Sequence, residues 1–80
     1  MIVGVEVSKV QNLLNYIRGS YPGIPKTNSD GNYTLETKKT VEVFQRVFKI
    51  PVTGNIDYVT WYKISYIYVA VSKMLNGIYI

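Results

Sequence analysis

Gly31-Asn32-Tyr33-Thr34-Leu35-Glu36-Thr37 and Gly54-Asn55-Ile56-Asp57-Tyr58-Val59-Thr60 decide how this chain folds. Both read Gly-Asn-apolar, then a residue able to cap a helix, then Thr three residues later. Upstream of each lies Val-x-x-apolar-Gln: Val7, Val10 and Gln11 in the first copy, Val41, Phe44 and Gln45 in the second. The repeating unit is therefore helix, Gln, turn, cap. Two such units that share a middle helix and finish on a third predict an all-α fold, a three-helix bundle with pseudo-symmetric helix-turn repeats. The first copy has the longer loop between Gln and Gly.

Each position in the unit has a physical task. Gly31 and Gly54 are expected at positive φ, where a side chain is penalised, so that the chain can reverse and hand the next apolar residue to the core. Asp30 can tie its turn through an Asx hydrogen bond. Gln11 and Gln45 lie one residue off the apolar stripe, where a long amide can bond turn groups that would otherwise be buried unpaired. All five read as structural residues.

Working outward, Val7, Val10, Leu14 and Ile17 recur at steps of three, four and three, which places helix one from about Val5 to Arg18. Ser20 to Gly31 collects Gly, Pro, Ser, Asn and Asp and reads as a loop. Thr37, Val41, Phe44 and Phe48 restore the rhythm behind a Thr34 cap, and helix two is expected to end near Lys49, ahead of Pro51. Trp61, Ile64, Tyr68, Val71 and Leu75 define helix three, the longest, with Asp57 as its cap and Asn76-Gly77 as its stop. The expected core is Val10, Leu14, Val41, Phe44, Phe48, Trp61, Ile64 and Tyr68.

Eighty residues have room for one domain, so 1–80 is read as a single unit. The chain contains neither His nor Cys, which excludes thiolate catalysis, His-based triads and most transition-metal sites. Carboxylate chemistry would rest on five acids, Glu6, Asp30, Glu36, Glu42 and Asp57, with no uncommitted pair spaced to share a cleft. No catalytic residue, metal ligand or cofactor is expected. The formal charge of +4 is carried by scattered basic residues, which favours anionic partners without a focused site. Nucleic-acid binding would need a basic stripe on one helix, and none is present. Residues 1–20 show no signal-peptide pattern, and the apolar run from Ile64 to Val71 is too short to span a bilayer. No membrane contact is expected.

In its ordered motifs the chain resembles the helical peptidoglycan-binding domain found beside cell-wall hydrolases and in spore-forming Gram-positive bacteria. Gly4, Val7, Val10, Gln11, Leu14 and Asn15 match the first block of that family. Asp30, Gly31, Tyr33, Thr37, Thr40, Val41, Phe44 and Gln45 match the second, and Gly54, Ile56, Thr60, Trp61 and Ile64 the third. Tyr21-Pro22-Gly23-Ile24-Pro25 is similar to an insertion in the Gram-positive branch. Thr34 departs from the usual Gly and Thr40 from the usual Ala, while Ser65 to Ile80 lies outside the pattern. The resemblance implies a non-catalytic module that binds peptidoglycan or an anionic wall polymer. It further implies a linked or partner cell-wall hydrolase and an extracellular, wall-associated or spore-associated setting.

A glycan would be gripped by exposed aromatic faces with amides and hydroxyls around them. Trp61 sits on the core stripe, so the candidates are Tyr58, Tyr62 and Tyr66, at steps of four on helix three, with Tyr21 and Tyr33 flanking the long loop. The competing reading is a small helical module for protein contacts or homodimerisation, in which the tyrosine line, Val69 and Ile78-Tyr79-Ile80 form the interface. Asn32-Tyr33-Thr34 matches a glycosylation sequon, a three-residue pattern too weak to carry weight.

Overall fold

The computed structural model describes residues 6–76, with side chains through Met74. Three helices follow in chain order: α1 (Val7–Ile17), α2 (Leu35–Val47) and α3 (Tyr58–Asn76). α1 packs against α3, and α2 closes the core by adding Val41 and Phe44 to Val10, Leu14, Ile17, Ile64, Ile67 and Val71. The expected three-helix bundle is therefore present, with its elements where periodicity placed them. α1 begins at Val7 behind Glu6. Val5, Gly77 and the Ile78-Tyr79-Ile80 segment lie outside the described residues.

The helix starts follow from their caps. Thr34 accepts a hydrogen bond from the Thr37 amide at 3.4 Å, and Asp57 accepts one from the Thr60 amide at 3.0 Å. The Asp57 carboxyl is held below its usual value by the Thr60 hydroxyl and then by the Thr60 amide. α2 stops two residues earlier than expected. Lys49 adopts φ 59°, its amide bonds the Arg46 carbonyl, and the Ile50 amide reaches back to the Gln45 carbonyl. This is a Schellman closure with Lys where Gly is usual, and it turns Ile50 back against the core before Pro51.

The two turns share three glutamine contacts, and in the second Gln45 also accepts from the Thr53 amide at 2.9 Å and donates to the Thr53 hydroxyl at 3.0 Å. Gln11 Oε1 accepts from the Gly31 amide at 2.9 Å, while its Nε2 donates to the Asn32 carbonyl at 2.9 Å and to Thr37 Oγ1 at 3.1 Å. Gln45 Oε1 accepts from the Gly54 amide at 3.0 Å, and its Nε2 donates to the Asn55 carbonyl at 3.1 Å and to Thr60 Oγ1 at 2.9 Å. Both glutamines and both threonines are buried. Asp30 accepts the Asn32 amide at 3.0 Å, and Thr53 takes the same role for the Asn55 amide at 3.1 Å. The Asn32 amide, followed by the Asn28 side chain, holds the Asp30 carboxyl below its ordinary value.

Both glycines have positive φ, 85° for Gly31 and 75° for Gly54. Their surroundings differ. A Cβ at Gly31 would meet nothing closer than Ser8 at 3.9 Å, whereas one at Gly54 would meet Lys38 Cε at 2.7 Å and Glu42 Oε2 at 3.1 Å. The apolar residue after each Gly-Asn pair points inward, fully for Ile56 and half-way for Tyr33. The Tyr33 hydroxyl donates to the Gly54 carbonyl and so joins the first turn to the second. Burial, and then the charge of Glu42, push its pKa up to about 12.

The core differs from expectation at the aromatics. Phe48, Trp61 and Tyr68 are only partly buried and pack against the rim of the cluster. Ile24, Ile56 and Ile67 occupy interior positions instead, Ile24 being carried in by the long loop. That loop is anchored by Asn15, which bonds both the Thr27 amide and carbonyl, at 2.9 and 2.7 Å, as a neighbouring strand would.

Two outcomes follow from the turns. Gly31→Ala is expected to cost about 1–2 kcal/mol for a left-handed backbone with a side chain. Gly54→Ala is expected to cost more, because Lys38 and Glu42 must also move; chemical denaturation of both variants checks the order. Tyr33 has a raised folded pKa, so its contribution is whole below pH 10 and is lost as pH rises through about 12. Tyr33→Phe is expected to lose about 0.5–1.5 kcal/mol at neutral pH and to show a shallower fall in stability between pH 10 and 12 than the parent.

Candidate functional site

The buried polar residues are occupied with one another. Among the described residues no buried side-chain nitrogen or oxygen lacks a hydrogen-bond partner. Gln11 and Gln45 thus serve the turns, as their sequence positions implied, with Thr37 and Thr60 as their partners, and these side chains are satisfied within the fold. Chemistry would have to be found on the surface, and there the acids are dispersed. Asp30 and Asp57 are engaged in their own turn and cap, and Glu42 stands beside Tyr33. Among the described residues no group of three potential ligands could hold a metal ion. No helix among them is long and apolar enough to cross a membrane.

The structure separates the five candidate tyrosines into two kinds. Tyr58, Tyr62 and Tyr66 stand on the outside of α3, exposed by 65%, 69% and 69%. Their steps of four put them in one line along the helix. Tyr21 is less open and lies edge-on to Phe48, with ring centroids 5.0 Å apart. Tyr33 was expected to be exposed and is half-buried instead, because its ring takes the inward position that Ile56 fills in the second copy. Its hydroxyl is committed to Gly54. The structure brings Tyr58, Tyr62 and Tyr66 together and leaves Tyr33 in the turn.

Neighbours complete the tyrosine face, of which the sequence pointed only to Val69. Ile50, Val59 and Lys63 line a shallow groove with Tyr62 and Tyr66, and Val69, Ala70, Lys73 and Met74 line a second one beyond Tyr66. The Lys63 ammonium lies 5.8 Å from the centroid of the Tyr66 ring. A usable signal was present in the sequence: Lys63 and Lys73 are the only charged residues of α3, and both are basic. Trp61 lies partly buried against the core, its ring covered on one side by the Lys9 ammonium at 6.0 Å. A further groove runs between the long loop and the start of α2, where Pro25, Lys26, Leu35 and Lys39 meet.

Searches among curated proteins and among solved structures returned no match to this chain. A family model described as "Putative peptidoglycan binding domain" matches residues 3–64, the stretch that holds both Gln-turn units and the start of α3. On the strength of that match and of the paired turns within it, this chain belongs to the helical peptidoglycan-binding domain family.

Proposed function

We propose that residues 1–80 form one non-catalytic domain that binds peptidoglycan and holds a linked or partner protein, such as a cell-wall hydrolase, against the wall. The observation that carries this reading is the line of exposed tyrosines, Tyr58, Tyr62 and Tyr66, on a chain of a wall-binding family. Aromatic rings kept in water at a cost in apolar exposure, each with a hydroxyl at its tip, suit a polar polymer with apolar faces. Tyr21, whose ring lies against Phe48, is proposed as a separate contact from the long loop, and Tyr33 acts only through the turn. The setting proposed is the extracellular wall of a Gram-positive bacterium, with spore peptidoglycan included.

Homodimerisation is the second reading, and exposed Val69 and Met74 favour it. Size in solution separates the two, since a wall-binding domain is expected to sediment as a monomer without ligand.

The pure chain is expected to co-sediment with insoluble peptidoglycan and to release no soluble muropeptides, with or without added zinc. Release would contradict the non-catalytic half, and failure to sediment would contradict the binding half. Most binding is expected to persist at roughly 0.5 M salt, where screening acts over a few ångströms, because stacking rather than diffuse charge carries it. A steep loss over that range would assign the attraction to the +4 charge.

A further inference from the structure

The family match ends at residue 64, whereas α3 continues to Asn76. Tyr66, Val69 and Lys73 therefore stand on a part of the helix that the family pattern does not define. At 3.6 residues per turn, Tyr58, Tyr62, Tyr66, Val69 and Lys73 fall within an arc of about 80°. They face away from Ile64, Ile67 and Val71, which are buried. The line is outward and long and winds slowly around the helix: successive tyrosines are about 6 Å apart along the axis, and Tyr58 to Lys73 covers about 22 Å. Tyr66 is common to both grooves of this face, which makes them one surface.

Its charge has one sign. α3 contains Lys63 and Lys73 and no acid. The adjoining Asp57 has one oxygen on the Thr60 amide at 3.0 Å and the other on the Thr53 hydroxyl at 3.3 Å. α2, by contrast, mixes Glu36 and Glu42 with Lys38, Lys39 and Arg46.

From the aromatic spacing and this charge, we propose that the outward face of α3 is a track for an extended, carboxylate-bearing glycan strand laid along the helix axis. Tyr58, Tyr62 and Tyr66 stack on successive sugar rings, and Lys63 and Lys73 pair with carboxylates of the peptides attached to the strand. The proposal rests on the wall-binding reading and adds to it the face, the direction and the two chemical parts of the ligand. A second copy is disfavoured as occupant, because it would bring Lys63 and Lys73 toward their own counterparts. An apolar partner helix would leave three tyrosine hydroxyls to be satisfied.

The test uses the full chain with solubilised glycan strands bearing their stem peptides, either native or with their carboxylates converted to neutral amides by a carbodiimide and ammonia. Tyr62→Ala, Tyr66→Ala and Lys63→Gln are compared with the parent, with melting temperature as the fold control. Each tyrosine variant is expected to raise Kd roughly tenfold for both ligands, and Lys63→Gln to weaken only the form with free carboxylates. Amide chemical shifts of the parent chain, followed by NMR during titration, are expected to move along 58–73 and not on α1 or α2. Parent binding with unchanged tyrosine variants, or shifts centred on α1 or α2, would overturn the track and leave wall binding standing. Failure of the parent to sediment with intact wall would remove both. A parent dimer that dissociates in Tyr62→Ala would assign the face to a second copy and overturn the proposal.

Discussion

A glutamine side chain inside each turn supplies what the backbone there cannot find elsewhere. Reversing the chain after a helix brings a glycine N–H and an asparagine C=O close to the interior, where a buried unpaired group costs about 1–3 kcal/mol. A primary amide offers one donor group and one acceptor at a spacing that matches that pair. Gln11 and Gln45 each meet it in the same way. Each amide also donates to a buried threonine, Thr37 or Thr60, in the first turn of the following helix, and Gln45 additionally reaches the Thr53 hydroxyl. One side chain thus fixes the end of the turn and the start of the next helix together.

The rest of the architecture depends on that coupling. With the turn fixed, the residue after Gly-Asn is directed inward, as Ile56 in one copy and Tyr33 in the other. The cap that follows sets the start of α2 or α3. Tyr33 then links the units by donating to the Gly54 carbonyl. Because Ile17, Ile24, Ile56, Ile64 and Ile67 fill the interior with Phe44, the aromatic residues of α3 are not all needed there. Tyrosines left outside on a rigid helix, anchored by a cap and a packed inner face, become a surface with fixed spacing. That is the physical basis for assigning recognition to α3 rather than to the loop.

Local signals in the sequence carried most of this. The helices, both caps, the positive φ of both glycines and the role of both glutamines could be read because each depends on residues a few positions apart or on a pattern that occurs twice. Depth within the core was less legible. A stripe such as Trp61, Ile64, Tyr68 and Val71 shows which side of a helix faces inward, but not which of its members reaches the centre. Large rings at its edge stop at the rim, while Ile67, off the stripe, is buried. Ile24 lies between two prolines in a loop that is held by Asn15 on Thr27, a contact across twelve residues, and by Arg18 on the Ile24 carbonyl. Tyr33 carried no local sign that its hydroxyl would meet a carbonyl twenty-one residues on. Of the five tyrosine candidates, the three legible by helical spacing are the three found on one face.

The claim that two buried glutamines hold the turns is tested most directly by native-state hydrogen exchange at the Gly31 and Gly54 amides. Both are donors to a glutamine oxygen and belong to no helix. The account predicts that they exchange as slowly as the central amides of α2, opening only when the bundle unfolds. Exchange at the rate of an open surface turn, while α1, α2 and α3 remain protected, would contradict it.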